Sequence, residues 1–213
     1  MESDFPMPTH TKALFAVLVV AAALGAWAPE LRGYPLPSAL GKSWTFEISY
    51  ATPRPVLVPD VDGVSHWYWY LPYTVVNRTG ADRMFVPEVL VVTEDGTEVH
   101  AGRGVPARVF AAVKERLNHK YLVDPVRAVG KLLQGDDNAL ESVAIWPAPA
   151  ASGVHLRIFF AGLSGETDSF QAPQSDIPVT VGKTLMLEYQ MPGKPPTPAE
   201  QPVLFDAASW VMR

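Results

Sequence analysis

Apolar positions along the chain follow three patterns: one unbroken run, several stretches alternating every second residue, and one stretch with helical spacing. The alternating stretches predict strands. The clearest is residues 67–77, WYWYLPYTVVN. Trp67, Trp69, Leu71, Tyr73 and Val75 share one face, and Tyr68, Tyr70, Thr74 and Val76 share the other. Both faces are bulky, so both need cover, one from a sandwich core and one from a helix or a partner. Pro72 has no N–H to give to a ladder and predicts an edge or a bulge. Further strands are predicted at 44–50, 84–93, 97–100, 140–146, 154–161 and 184–191, with 129–133 leading into a polar turn at Gly135–Asn138. Glu94-Asp95-Gly96 is a hairpin signal. Pro53, Pro55 and Pro59 mark an edge strand or a loop.

Residues 106–121 carry the helical spacing. Pro106 suits a first turn. Val109, Val113, Leu117 and Tyr121 form an apolar stripe with Phe110 beside it. Lys114, Arg116, His119 and Lys120 make the other side basic. A helix lying between strands reads as an insertion that covers one face or end of the sheets.

The unbroken run is residues 13–28, ALFAVLVVAAALGAWA. Being apolar on every face, it does not read as a core helix. A helix from Thr9, a good cap, to Ala28 would reach about 30 Å, the thickness of bilayer hydrocarbon. Pro29 closes it, and Trp27 falls at the membrane–water boundary. Leu14, Phe15, Val17, Leu18, Val19, Val20, Leu24 and Trp27 are its candidate lipid contacts. An export signal cleaved after Ala26-Trp27-Ala28 is the alternative. Glu2 and Asp4 make the start acidic, with Lys12 the only base before the run, which favours a retained anchor. Lys12 and Arg32 flank the run almost evenly, so loop charge says little about orientation. The following domain is placed on the extracytoplasmic, periplasmic side, as for most short N-terminal anchors.

This divides the chain into an anchor at 1–32, a stalk at 33–43, a β-sandwich at 44–191 carrying the helix, and a proline-rich linker with an apolar tail at 192–213. The tail carries Phe205, Trp210 and Met212 and is too apolar to hang free. It docks on its own domain or on another chain. About 180 residues after the anchor suffice for one cored domain. A net charge of −5 argues against nucleic-acid binding. The absence of cysteine excludes disulfides, thiolate metal sites and a cysteine nucleophile.

The run YTVVNRTGADRMFVPEVLVVTEDG resembles the paired strands of bacterial exported Ig-like domains, many of unknown function. The later LLQGDDNALESVAIWPAP and VHLRIFFAGL are similar to their second half. The resemblance covers residues 65–165 and implies an Ig-like antiparallel sandwich with no active site. The helix departs from its simplest form.

Candidate chemistry is sparse. His10, His66, His100, His119 and His155 show no HxH or HExxH spacing. Asp60-Val61-Asp62-Gly63 opens like a calcium loop, but Trp69 and Leu71 stand where later ligands would be needed, so it reads as a turn. Ser164 lies between glycines yet lacks the strand–turn–helix elbow of a nucleophile. Asn77-Arg78-Thr79 spells a glycosylation acceptor and reads as a turn. No cofactor is expected.

The aromatic set is the best functional feature. Trp67, Tyr68, Trp69, Tyr70 and Tyr73, with Phe205, Trp210 and Met212 of the tail, are the candidate interface. The expected protein is a non-catalytic, membrane-anchored accessory subunit. Its partners are the bilayer and the other subunits of a larger membrane complex, of the respiratory or photosynthetic kind. The competing readings are a carbohydrate- or peptide-binding module and, below it, a periplasmic enzyme with a dispersed site.

Overall fold

The computed structural model describes residues 34–148, 155–173, 177–191 and 203–213. The candidate anchor residues, from Leu14 to Trp27, and most of the proline-rich linker lie outside them. Among the described residues no helix is long and apolar enough to cross a membrane. The unit from Pro35 to Arg213 is mainly β, with antiparallel sheets packed as a sandwich.

Among the described residues twelve strands occur: β1 (Glu47–Tyr50), β2 (Arg54–Pro59), β3 (Ser65–Val76), β4 (Arg83–Phe85), β5 (Glu88–Thr93), β6 (Glu98–His100), β7 (Gly130–Leu132), β8 (Leu140–Pro147), β9 (His155–Ala161), β10 (Thr167–Gln171), β11 (Pro178–Gln190) and β12 (Leu204–Met212). Helix α1 (Ala107–Leu117) stands between β6 and β7. In the smaller sheet β3 is central, with β8 on one side and β1 and β2 sharing the other. The larger sheet runs β6, β5, β9, β11. Lys183 donates its N–H to the Glu166 carbonyl, while Gly182 exchanges both backbone bonds with Arg213. Neighbouring residues point their peptide groups to opposite sides of a strand. So β10 continues the β9 side of β11, and β12 lies along the other side.

β3 explains the layering. Trp69, Leu71, Tyr73 and Val75 face the larger sheet and join Trp146, Val91, Ile158, Phe160, Leu187 and Tyr189 in the main core. Tyr68 and Tyr70 face the other way, into a second core with Val56, Val58, Val143, Ile145 and the α1 residues Val109 and Val113. The helix therefore supplies the second cover that the bulky strand requires. Burying one such side chain contributes about 2–3 kcal/mol.

Several elements differ from their sequence pattern. Pro72 is not at a sheet edge. Its carbonyl accepts from Ala51 N–H (2.9 Å), on the side where β1 ends and β2 begins. Its missing donor thus faces the corner between those two strands. The stretch 84–93 is two strands, broken at Val86-Pro87; β4 pairs with β7 and β5 joins the larger sheet. Gly162 packs on this break, with φ +81°, and a Cβ there would overlap the Val86 carbonyl oxygen. The helix stops at Leu117 because Asn118 adopts the left-handed conformation (φ 49°) and returns its N–H to Glu115 O. Tyr121 lies beyond it and is exposed, and Pro106 is the N-cap. The sandwich does not end at residue 191: the tail forms β12 on its own domain, beside a β11 that begins six residues before the expected position. β10 carries one clear apolar residue, Phe170, and left no alternating signal.

Two polar side chains hold the loops at one end. Asn77 is fully buried. Its amide donates to the carbonyls of Leu132 (2.8 Å) and Ala81 (3.0 Å), and its oxygen accepts from the Thr79 N–H and hydroxyl. Asn77→Ala is expected to cost about 3 kcal/mol in chemical denaturation, because it orphans several buried groups at once; a loss within experimental error would remove Asn77 from this role.

Glu166, also buried, accepts from Ser38 N–H (2.7 Å) and pairs with the Lys183 ammonium (3.3 Å), which lies over the Trp210 ring. The Ser38 bond, and after it Lys183, hold the carboxyl below its ordinary value of 4.5. A carboxylate depressed in the folded state binds fewer protons there than in the unfolded chain. Its contribution is therefore complete at neutral pH and is lost as pH falls through the acidic range. The stability difference between wild type and Glu166→Gln should be constant near neutrality and shrink below pH about 4.5; a pH-independent difference in urea midpoints would contradict the assignment.

Candidate functional groove

The antiparallel β3–β8 ladder leaves the far edge of β8 without a partner strand. Pro72 and Val143 are opposite one another. Because Pro72 points toward β1 and β2, the Val143 peptide groups point away from β3. The same parity sends the carbonyls of Glu141 and Ile145 outward. Val123 N–H clamps the first (2.9 Å) and Gly102 N–H the second (2.8 Å). Val143 stands between these clamps, with its peptide groups directed along the same edge.

A cavity of about 640 Å³ follows this edge. One wall is Val89 and Ala101 of the larger sheet, and the opposite wall is Pro106 and Phe110 at the start of α1. Pro125, Val126 and Val129 close a third side, and Val143, Ala144 and Ile145 form the floor. Its volume falls in the range of ligand clefts, and its lining is largely apolar. The rim is apolar as well: Val126 is 82% exposed and Val129 47%. Continuing the β4–β7 register puts Val86 opposite Val129, and Val86 and Met84 share a face and are exposed.

Polar groups sit at the margins. His100 Nδ1 lies 3.6 Å from a Glu88 carboxylate oxygen. Asp124 accepts from Val126 N–H (2.9 Å), and its carbonyl accepts from Arg127 and Ala128. These bonds fold residues 124–128 into the turn that presents Val126. Arg103 is exposed on a tight loop between Gly102 (φ +82°) and Gly104 (φ +68°). Tyr73 reaches the groove from β3. Burial raises its phenol pKa, while a hydrogen bond with Ser142 acts in the opposite direction. The arrangement suits capture of an apolar chain or side chain, with polar contacts only at the margin.

A second hollow of about 320 Å³ lies at the other end of β8. His119 Nε2 meets Glu141 there (3.1 Å), and its buried Nδ1 has no partner among the described residues. Ser142 donates to the Val123 carbonyl (2.9 Å).

The aromatic interface expected from the sequence lies elsewhere. Tyr68, Trp69, Tyr70 and Tyr73 are buried inside the two cores, and Met212, at the end of β12, is buried too. They form no surface platform, because α1 covers the face that a partner was free to take. Trp67 and Trp210 are half-buried. Of this set only Phe205 is exposed; it packs edge-on against Tyr189 at 5.6 Å.

The minor candidates have structural roles. Asp60 accepts from Asp62 N–H and Val64 N–H (both 2.9 Å) and meets His66 (3.1 Å), which makes it a turn. Ser164 donates to the Trp44 carbonyl (2.9 Å) and accepts from Thr45 and from Glu166 N–H. The amide of Asn77 is occupied inside the fold. Among the described residues no group of three His, Cys, Asp or Glu side chains could hold a metal ion. The groove itself was missed because its walls come from five separated segments. The one local signal was apolar Val126 and Val129 in the connection between α1 and β7. No protein-family model, curated protein or solved structure matches the chain.

Proposed function

We propose that the chain is a non-catalytic, membrane-anchored accessory subunit. Its Ig-like domain stands on the extracytoplasmic side and holds an apolar segment of a larger membrane protein complex. The observation that carries this reading is the groove along β8. It is apolar within and apolar at its rim, where Val86, Val126 and Val129 are all exposed. At its margin Glu88 lies beside His100 and Asp124 accepts from the Val126 N–H, while Arg103 offers an exposed cation, which suits a surface that grips an apolar segment with polar contacts only at the edge. The run at residues 13–28 supports the tether, and a tether raises the effective concentration of a domain beside its membrane partner. A peptide-binding module is the same geometry with a free ligand. A carbohydrate platform on Trp69 loses its support, since that ring is in the core.

Extraction of the full chain in mild detergent, followed by mass spectrometry of co-eluting proteins, tests this. Wild type should carry a stoichiometric membrane partner, and Val126→Asp with Val129→Asp should release it. Unfolding free energy should change by no more than about 0.5 kcal/mol per site, as for exposed positions away from the core. A wild-type chain that elutes alone, or a partner retained by the double variant, would overturn the proposal.

A further inference from the structure

The geometry points to one end of the sandwich as a lipid-contacting surface, with Leu36 and Leu40 and the β10–β11 hairpin entering the bilayer interface. This rests on the anchored reading of residues 13–28.

The first argument is chain length. Ser38 is pinned to the folded domain through its N–H bond to the buried Glu166. Nine residues, ten Cα–Cα steps, separate Ala28, the end of the apolar run, from Ser38. At full extension they reach about 35 Å, and less in any bent path. On the anchored reading, the Ser38 end of the domain therefore lies within about 35 Å of the membrane.

The second argument is what that end displays. Leu36 is 81% exposed and Leu40 87%, although both flank the pinned residue. Lys42, exposed beside them, suits the headgroup layer. Trp44, Thr45 and Phe46 then pair with residues 163–165 before β1 runs along the Val76 end of β3. From the same level, β10 and the first five residues of β11 continue the sheet past Glu166 as a hairpin. Near its tip Ile177 is 75% exposed, and Val179 is partly so. Two segments far apart in sequence thus bring aliphatic side chains to the end that the tether holds nearest the membrane. The far end of β3, at Ser65, lies about 40 Å away by strand length, beside the exposed Val61. Aliphatic residues at a lipid interface gain about 25 cal/mol per Å² of surface removed from water.

The chain has no cysteine, so single-site labels are clean. The experiment places a nitroxide at Leu36→Cys, Leu40→Cys, Ile177→Cys or Val61→Cys in the full chain, in vesicles of phosphatidylcholine and phosphatidylglycerol. Collisions with oxygen and with a water-soluble nickel chelate are then compared. Labels at 36, 40 and 177 should collide more with oxygen than with the chelate, and the label at 61 should show the reverse. Chelate-dominated collisions at 36, 40 and 177, in a chain that resists alkaline carbonate extraction, would overturn the lipid-facing end while leaving the anchor intact. Release of the chain by carbonate would overturn the anchor, and this inference with it.

Discussion

The structure depends on a strand that must be buried on both faces. β3 places Trp69, Leu71, Tyr73 and Val75 on one side and Tyr68 and Tyr70 on the other, all with little or no exposure. A two-layer sandwich can hide only one of these faces. The larger sheet takes the first. The second would leave a large aromatic surface in water, and α1 exists in this fold to cover it. An eleven-residue helix is too short to be stable alone. It has no side-chain N-cap and no acidic residue in its first turn. Its helicity rests on docking Val109 and Val113 against the outer faces of β2, β3 and β8.

The same strand decides where the edges fall. Pro72 cannot donate, so the side of β3 that it faces is shared by two short strands meeting at a corner rather than filled by one long one. That leaves β8 alone on the other side, with an outer edge to be dressed. Bare edges invite other chains. Here the Gly102 and Val123 amides cap two of the outward carbonyls, α1 overhangs from one side and the larger sheet from the other. The groove is the space that these partial covers leave. It lies where these covers leave the outer edge of β8 open around Val143.

Sequence reading recovers what local periodicity encodes. The alternation over 67–77 places the faces of β3 correctly, the hairpin at Asp95-Gly96 is where the structure has it, and the i, i+4 stripe finds α1. Failures occur where a tertiary contact overrides the pattern. Val86-Pro87 interrupts a continuous valine-rich run because the Gly162 backbone packs against it. Asn118 ends a helix whose hydrophobic stripe would otherwise run to Tyr121. β10 has one clear apolar residue, Phe170, because it pairs only with the projecting end of β11 and sees little core. The aromatic-rich strand was read as a surface feature because alternation shows that a face needs cover but not which element supplies it. The groove is less legible still: its lining is assembled from Tyr73 of β3, the start of β5, the stretch 100–110, the 124–129 turn and β8, and no local pattern shows that these segments meet.

The division into two cores also sets how the groove can move. The main core is shared among strands that are widely separated in sequence and joined by continuous ladders, so opening it means unfolding the domain. The second core depends on a marginal helix and on the 118–129 connection, tied to β8 by the Val123–Glu141 bond and the His119–Glu141 contact. Local opening draws on the least stable elements first. α1 and the 118–129 connection are therefore the elements expected to open first, ahead of β3 and β8.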